Sequence, residues 1–82
     1  MRITDTDARH ARLREILTEA RKSKHLTQVE LGERLGKNQV WVSKYEAGSR
    51  KLDVIEFVDV AKAIGADPCR LLRRIDERGG SS

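Results

Sequence analysis

Gln39, Val40, Ser43 and Lys44 are the residues of this 82-residue chain whose types and spacing best suit recognition chemistry. If the stretch Gln39-Val40-Trp41-Val42-Ser43-Lys44-Tyr45-Glu46 is helical and Val42 and Tyr45 turn inward, these four side chains share the outward face of its N-terminal half. An amide, a hydroxyl, an ammonium and a small apolar group are the groups that exchange hydrogen bonds and methyl contacts with the edges of base pairs. A lone helix is narrow enough to enter a major groove.

The flanking sequence supplies what must position that helix. Asn38 is a good N-cap for it, and Gly48 closes it in the left-handed conformation that glycine adopts most cheaply. Upstream, Thr27 followed three residues later by Glu30 is a capping box that starts a second helix, which Gly36 ends. The inward face of that helix is expected to be Val29, Leu31 and Leu35. Two helices joined this tightly cross steeply, and the crossing calls for a tiny residue at the contact, here Gly32.

Three more helices complete the expected scaffold. Leu13, Ile16, Leu17 and Ala20 recur at i, i+3, i+4, i+7 and place a first helix over about Asp7 to Ser23, with Arg9, Arg12, Arg14 and Arg21 on its other face. Asp53 caps a fourth whose stripe is Val54, Phe57, Val58, Ala61 and Ile64, ending at Gly65. Asp67-Pro68 opens a fifth, with Leu71, Leu72 and Ile75 on its apolar side. Glu77 to Ser82 reads as a polar, flexible tail, leaving residues 1–76 as one domain. Strand-like alternation and internal repeats are absent, so the fold class is all-α with five short helices.

Composition sets the outer limits. A chain of this size holds one small core at most, and with only Trp41, Tyr45 and Phe57 aromatic that core must be mainly aliphatic. The net charge of +4 suits a well-solvated surface as well as a polyanionic partner; most of the excess base lies before Leu52, so any polyanion should dock on the N-terminal part. Cys69 is the single cysteine and rules out an intramolecular disulfide. His10 and His25 have no metal-ligand spacing and read as surface residues, so neither metal nor cofactor is expected. No apolar run approaches the roughly 20 residues that span a bilayer, and no signal-peptide core is legible, which suits a cytoplasmic, nucleoid-associated protein. Nothing resembles a nucleophile with its base, so an enzyme is not expected.

The sequence resembles the lambda-repressor/Cro-like (Xre) helix-turn-helix family. The likeness runs through Leu26-Thr27-Gln28-Val29-Glu30-Leu31-Gly32-Glu33-Arg34-Leu35-Gly36, through Val42-Ser43-Lys44-Tyr45-Glu46-Ala47-Gly48 and through Val60-Ala61-Lys62-Ala63-Ile64-Gly65. The resemblance implies a five-helix domain with the helix-turn-helix in helices 2 and 3, a transcriptional regulator, repressor or autoregulatory controller, and duplex DNA as partner. It also implies roles for particular residues. Gln28 matches the glutamine that bonds a DNA phosphate, and a helix N-terminus attracts an anion for the same reason. Gln39 matches the residue that reads a base edge, and its amide can pair bidentately with adenine. Val40, Ser43 and Lys44 join it in reading bases, while Thr27, Asn38, Arg50 and Lys51 are placed for phosphates. Arg21 and Glu46 match a partly buried salt bridge.

Two positions depart from the family pattern. Trp41 stands where a smaller polar residue is usual, and it either packs over the edge of helices 2 and 3 or also donates its indole N–H to a phosphate. His25 stands where glycine is frequent, which leaves a left-handed backbone there open. One short helix reads few bases, so a homodimer on palindromic half-sites about 34 Å apart is expected. Its contacts are sought near Ile55, Pro68 and Leu72. The competing class is a protein-interaction module that holds a toxin, an antirepressor or a polymerase subunit. Acidic residues on the outward face of helix 3 would have favoured it, and there are none.

Overall fold

The computed structural model describes residues 6–80, with side chains from 7 to 76. It contains α1 (Thr6–Ser23), α2 (Gln28–Leu35), α3 (Gln39–Ala47), α4 (Val54–Ile64) and α5 (Pro68–Gly80), and no strand among the described residues. The helices begin and end where the capping chemistry places them. Thr27 Oγ1 accepts from the Glu30 N–H at 3.0 Å while Glu30 returns a carboxylate to the Thr27 N–H at 2.9 Å. Asp53 and Glu56 form a second such box at the start of α4, a pairing that the matching spacing Asp53-x-x-Glu56 would have disclosed. The backbone of α5 remains helical to Gly80, past the expected end of the domain at residue 76.

The exit from α1 settles the open question at His25. Its φ is 58°, in the left-handed region, and its N–H bonds the Lys22 carbonyl at 2.9 Å while the Leu26 N–H bonds Arg21 at 3.1 Å. This double closure satisfies carbonyls that the helix end leaves bare, and the buried Leu26 supplies the accompanying apolar contact. A histidine therefore holds a position that glycine would hold with less strain.

Ile16, Leu17, Leu31, Val42, Tyr45, Phe57, Val60, Ala61, Ile64 and Leu71 form the buried core, drawn from all five helices. Three residues expected on apolar faces are exposed instead, among them Leu72 of α5 at 52%. Val29 is 52% exposed, because at 100° per residue it points away from the Leu31, Gly32 and Leu35 face. Val54 is 75% exposed in the first turn of α4, and the buried stripe is Phe57, Val60, Ala61 and Ile64, bringing in Val60, which the expected stripe omits. Arg34 ties α2 to α4 by donating to the Ala63 carbonyl at 2.9 Å.

Candidate nucleic-acid interface

The α2–α3 turn is the element that aims α3. A Cβ on Gly32 would lie 2.9 Å from the Lys37 carbonyl oxygen and 3.1 Å from that of Asn38. Only hydrogen fits without moving the turn, and this contact sets how closely the N-terminus of α3 approaches α2. Val42 and Tyr45 are buried beneath α3. On its opposite side Gln39, Val40 and Lys44 are exposed and Ser43 is half-buried.

A chain of hydrogen bonds runs from the core to that face. The Arg21 guanidinium bonds Glu46 through Nε at 2.7 Å and through its second amino group at 3.1 Å, and it also donates to the Leu26 carbonyl at 2.7 Å. Gln28 Nε2 donates to Glu46 Oε1 at 2.9 Å, and Gln39 Nε2 donates to Gln28 Oε1 at 2.7 Å. The chain has a direction. A carboxylate only accepts, so the amide nitrogen of Gln28 must face Glu46, its oxygen must face Gln39, and the nitrogen of Gln39 must face that oxygen. Gln39 is left with its carbonyl oxygen and one N–H to offer outward. Sequence reasoning singled out all four residues, and the structure brings them into contact; the link between the two glutamines was not foreseen, since their spacing does not disclose it.

Around this centre the other candidate residues take distinct places. Asn38 Oδ1 caps the Trp41 N–H at 2.9 Å, which leaves its amide N–H groups outward. Thr27 is exposed at the N-terminus of α2, its oxygen engaged in the capping box. Trp41 is half-buried against the core, edge-on to Tyr45 with ring centroids 5.6 Å apart. The Lys37 ammonium and the Arg50 guanidinium lie 5.5 and 5.0 Å from its ring centroid, close enough for cation–π attraction.

Arg50 is more constrained than an isolated loop arginine. Its two amino groups bond the Glu56 carboxylate at 3.1 and 2.6 Å, and this fork, with the Asp53 N–H, draws the Glu56 pKa down from 4.5 to about 2. The same pairing raises the pKa of Arg50. Lys51 next to it is exposed. Thr27 lowers the Glu30 pKa in the same manner, by donating to its carboxylate from the backbone.

Away from this face, Leu72 lines an apolar groove of about 360 Å³ between α1, α4 and α5, with Leu13, Val54, Phe57, Val58 and Ile75. Ile55 is exposed beside Val54, whereas Pro68 is half-buried, and neither lines the groove. Among the described residues no helix is long and apolar enough to cross a membrane, and no cluster of three or more metal-ligating side chains occurs.

Two short helices joined by a tight turn, with a glycine where they touch and an outward amide fixed in polarity, define a helix-turn-helix domain. A helix-turn-helix family model matches residues 17–71. An XRE-family like protein from Pseudomonas syringae pv. tomato str. DC3000 is 46% identical in sequence, with a TM-score of 0.85 and coverage of 88% of either chain. No curated protein matches the chain. The chain belongs to the XRE-type helix-turn-helix family of DNA-binding transcriptional regulators.

Proposed function

We propose that this protein reads duplex DNA in the major groove with the N-terminal half of α3, binds a palindromic operator as a homodimer, and acts as a repressor or autoregulatory controller. The observation that carries the reading is the directed chain from Arg21 through Glu46 and Gln28 to Gln39. The outward oxygen and N–H of Gln39 match the N6 donor and N7 acceptor of adenine, and because they are fixed beforehand, binding loses little side-chain freedom. Val40, Ser43 and Lys44 extend the reading surface to a thymine methyl, a guanine or a phosphate.

The remaining N–H of Gln28, the Asn38 amide and the Thr27 hydroxyl hydrogen sit at two helix N-termini, where phosphates are favoured. Lys51 adds charge. Trp41 and Arg50 act as one packed unit: the indole is a wall against which Arg50 is held, and the guanidinium N–H groups not committed to Glu56 face the backbone. Pairing of two chains draws support from exposed Ile55 and Leu72 beside the apolar groove, an arrangement a second copy could cover.

Selection of bound sites from random duplexes tests the reading. Gln39→Ala should relax preference at one adenine per half-site, each good bidentate pair being worth about 1–3 kcal/mol of discrimination. Retained preference there would remove Gln39 from the reading surface. Stoichiometry of the selected complex should be two chains per site.

A further inference from the structure

Tyr45 is among the largest fully buried side chains, 1% exposed, yet its hydroxyl has no hydrogen-bond partner among the described residues. Buried polar atoms in native folds are nearly always paired, so an orphan of this kind asks what normally meets it. The side chain borders a small cavity where α1 meets the loop after α3, walled by three leucines and by His10, Arg14, Arg50 and Lys51. Its free volume, about 10 Å³, matches one oxygen-sized atom and little more.

The charges around the cavity are unequal. Arg50 is neutralised by Glu56. Arg14 and Lys51 form no ion pair among the described residues. The Arg14 guanidinium is packed onto Gly48, where a Cβ would come within 2.9 Å of its Cζ. Glycine at position 48 thus ends α3 and also makes room for a cation beside the cavity. Burial raises the pKa of the phenol, so the hydroxyl stays protonated and able to donate.

We propose that this cavity receives one oxygen of a phosphate-type anion, with the Tyr45 hydroxyl donating from its floor and Arg14 and Lys51 balancing the charge at its mouth. A phosphodiester of the DNA backbone and a free phosphate share this chemistry. The first source would extend the DNA contact from α3 to α1 and rests on the function proposed above; the second would make the site a receptor for a small anion.

Trp41, the only tryptophan and in edge contact with Tyr45, reports on the site in the full chain. Its fluorescence should change saturably with inorganic phosphate and not with chloride at equal ionic strength. Tyr45→Phe deletes only the orphan hydroxyl, so it should melt no lower than the parent while weakening phosphate binding about tenfold, as loss of a hydrogen bond to a charged group does. Lys51→Gln should weaken it similarly. If Tyr45→Phe also lowers affinity several-fold for all duplexes, the source is the DNA backbone. If DNA binding is unchanged while the phosphate response is lost, the source is a free anion. The proposal is overturned if Tyr45→Phe alters neither phosphate nor DNA binding. Gln39→Ala on the same duplexes keeps the two readings apart, since Gln39 does not line the cavity and its loss should alter base preference rather than the phosphate response.

Discussion

Glu46→Ala isolates the element on which both the fold and the reading face depend. The Arg21 and Glu46 side chains are 9% and 8% exposed, and their closest contact is 2.7 Å. Truncating Glu46 leaves a guanidinium buried, with the Leu26 carbonyl as its remaining partner among the described residues. Removing one member of a buried pair costs about 3–5 kcal/mol, against about 0–1 for exposed pairs. The pair Arg74–Glu19, with side chains 45% and 61% exposed, is the internal control. A domain of this length is stable by roughly 4–12 kcal/mol, so the loss takes a large share of the whole. At about 4–8 °C per kcal/mol the midpoint should fall by roughly 12–40 °C, and Glu19→Ala should shift it by only a few degrees. Thermal and urea unfolding followed by circular dichroism measure both. Replacing both partners, Arg21→Met with Glu46→Leu, should recover most of the loss, because no charge is then stranded. A loss below about 1 kcal/mol for Glu46→Ala, or a double variant no better than the single, would refute the reasoning that the pair matters through burial.

Three further perturbations probe separate parts of the fold. Gly32→Val should cost about 1–3 kcal/mol by overpacking and weaken DNA binding even below its melting point, because the branched side chain pushes on the Lys37 and Asn38 carbonyls; full affinity in a folded variant would show that the turn does not aim α3. His25→Gly should stabilise the protein by about 0.5–1 kcal/mol by relieving the left-handed backbone at φ 58°, a rise of several degrees in thermal melts. Glu56, with its folded pKa depressed from 4.5 to about 2, contributes stability that is present above pH 4.5 and is lost as pH falls toward 2, so the acid limb of a stability profile should flatten over that window in Glu56→Gln.

Most of the architecture was legible because local chemistry specifies it. Thr27 with Glu30, Asn38, Asp53, and the glycines at 36, 48 and 65 mark helix ends without reference to the rest of the chain. Where the reading failed, the deciding contact came from elsewhere in the fold. Val29 fits an apolar list by type, but the packing partner of α2 lies on the side of Leu31 and Leu35. Val54 fits the period of α4 but lines the open groove beside α1 and α5, so it is left exposed. The same distinction holds at the candidate site. Gln28 and Gln39 stand out singly by position, whereas their mutual bond depends on the α2–α3 crossing and on the acceptor that Glu46 offers. Arg50 stood out as a free loop cation; its capture by Glu56 needed the turn into α4.

The direction of the hydrogen-bond chain yields a prediction that its mere existence does not. Glu46→Gln keeps the size of the side chain but replaces one accepting oxygen with a donor. The new oxygen should stay on Arg21 Nε, the shorter contact at 2.7 Å, so the new nitrogen takes the place of Oε1, which met the second Arg21 amino group at 3.1 Å and Gln28 at 2.9 Å. Facing a donor, the Gln28 amide must turn its oxygen toward position 46 and its nitrogen toward Gln39, and Gln39 must turn in response. Its outward groups become two N–H donors with no acceptor. Adenine then loses the partner for N6, while the O6 and N7 acceptors of guanine become acceptable. Site selection with the folded variant should therefore show adenine preference at the Gln39 position replaced by guanine or abolished, by a substitution on a side chain that is 8% exposed. Unchanged adenine preference would mean that Gln39 is oriented by the DNA itself, and that the chain from Arg21 serves the fold alone.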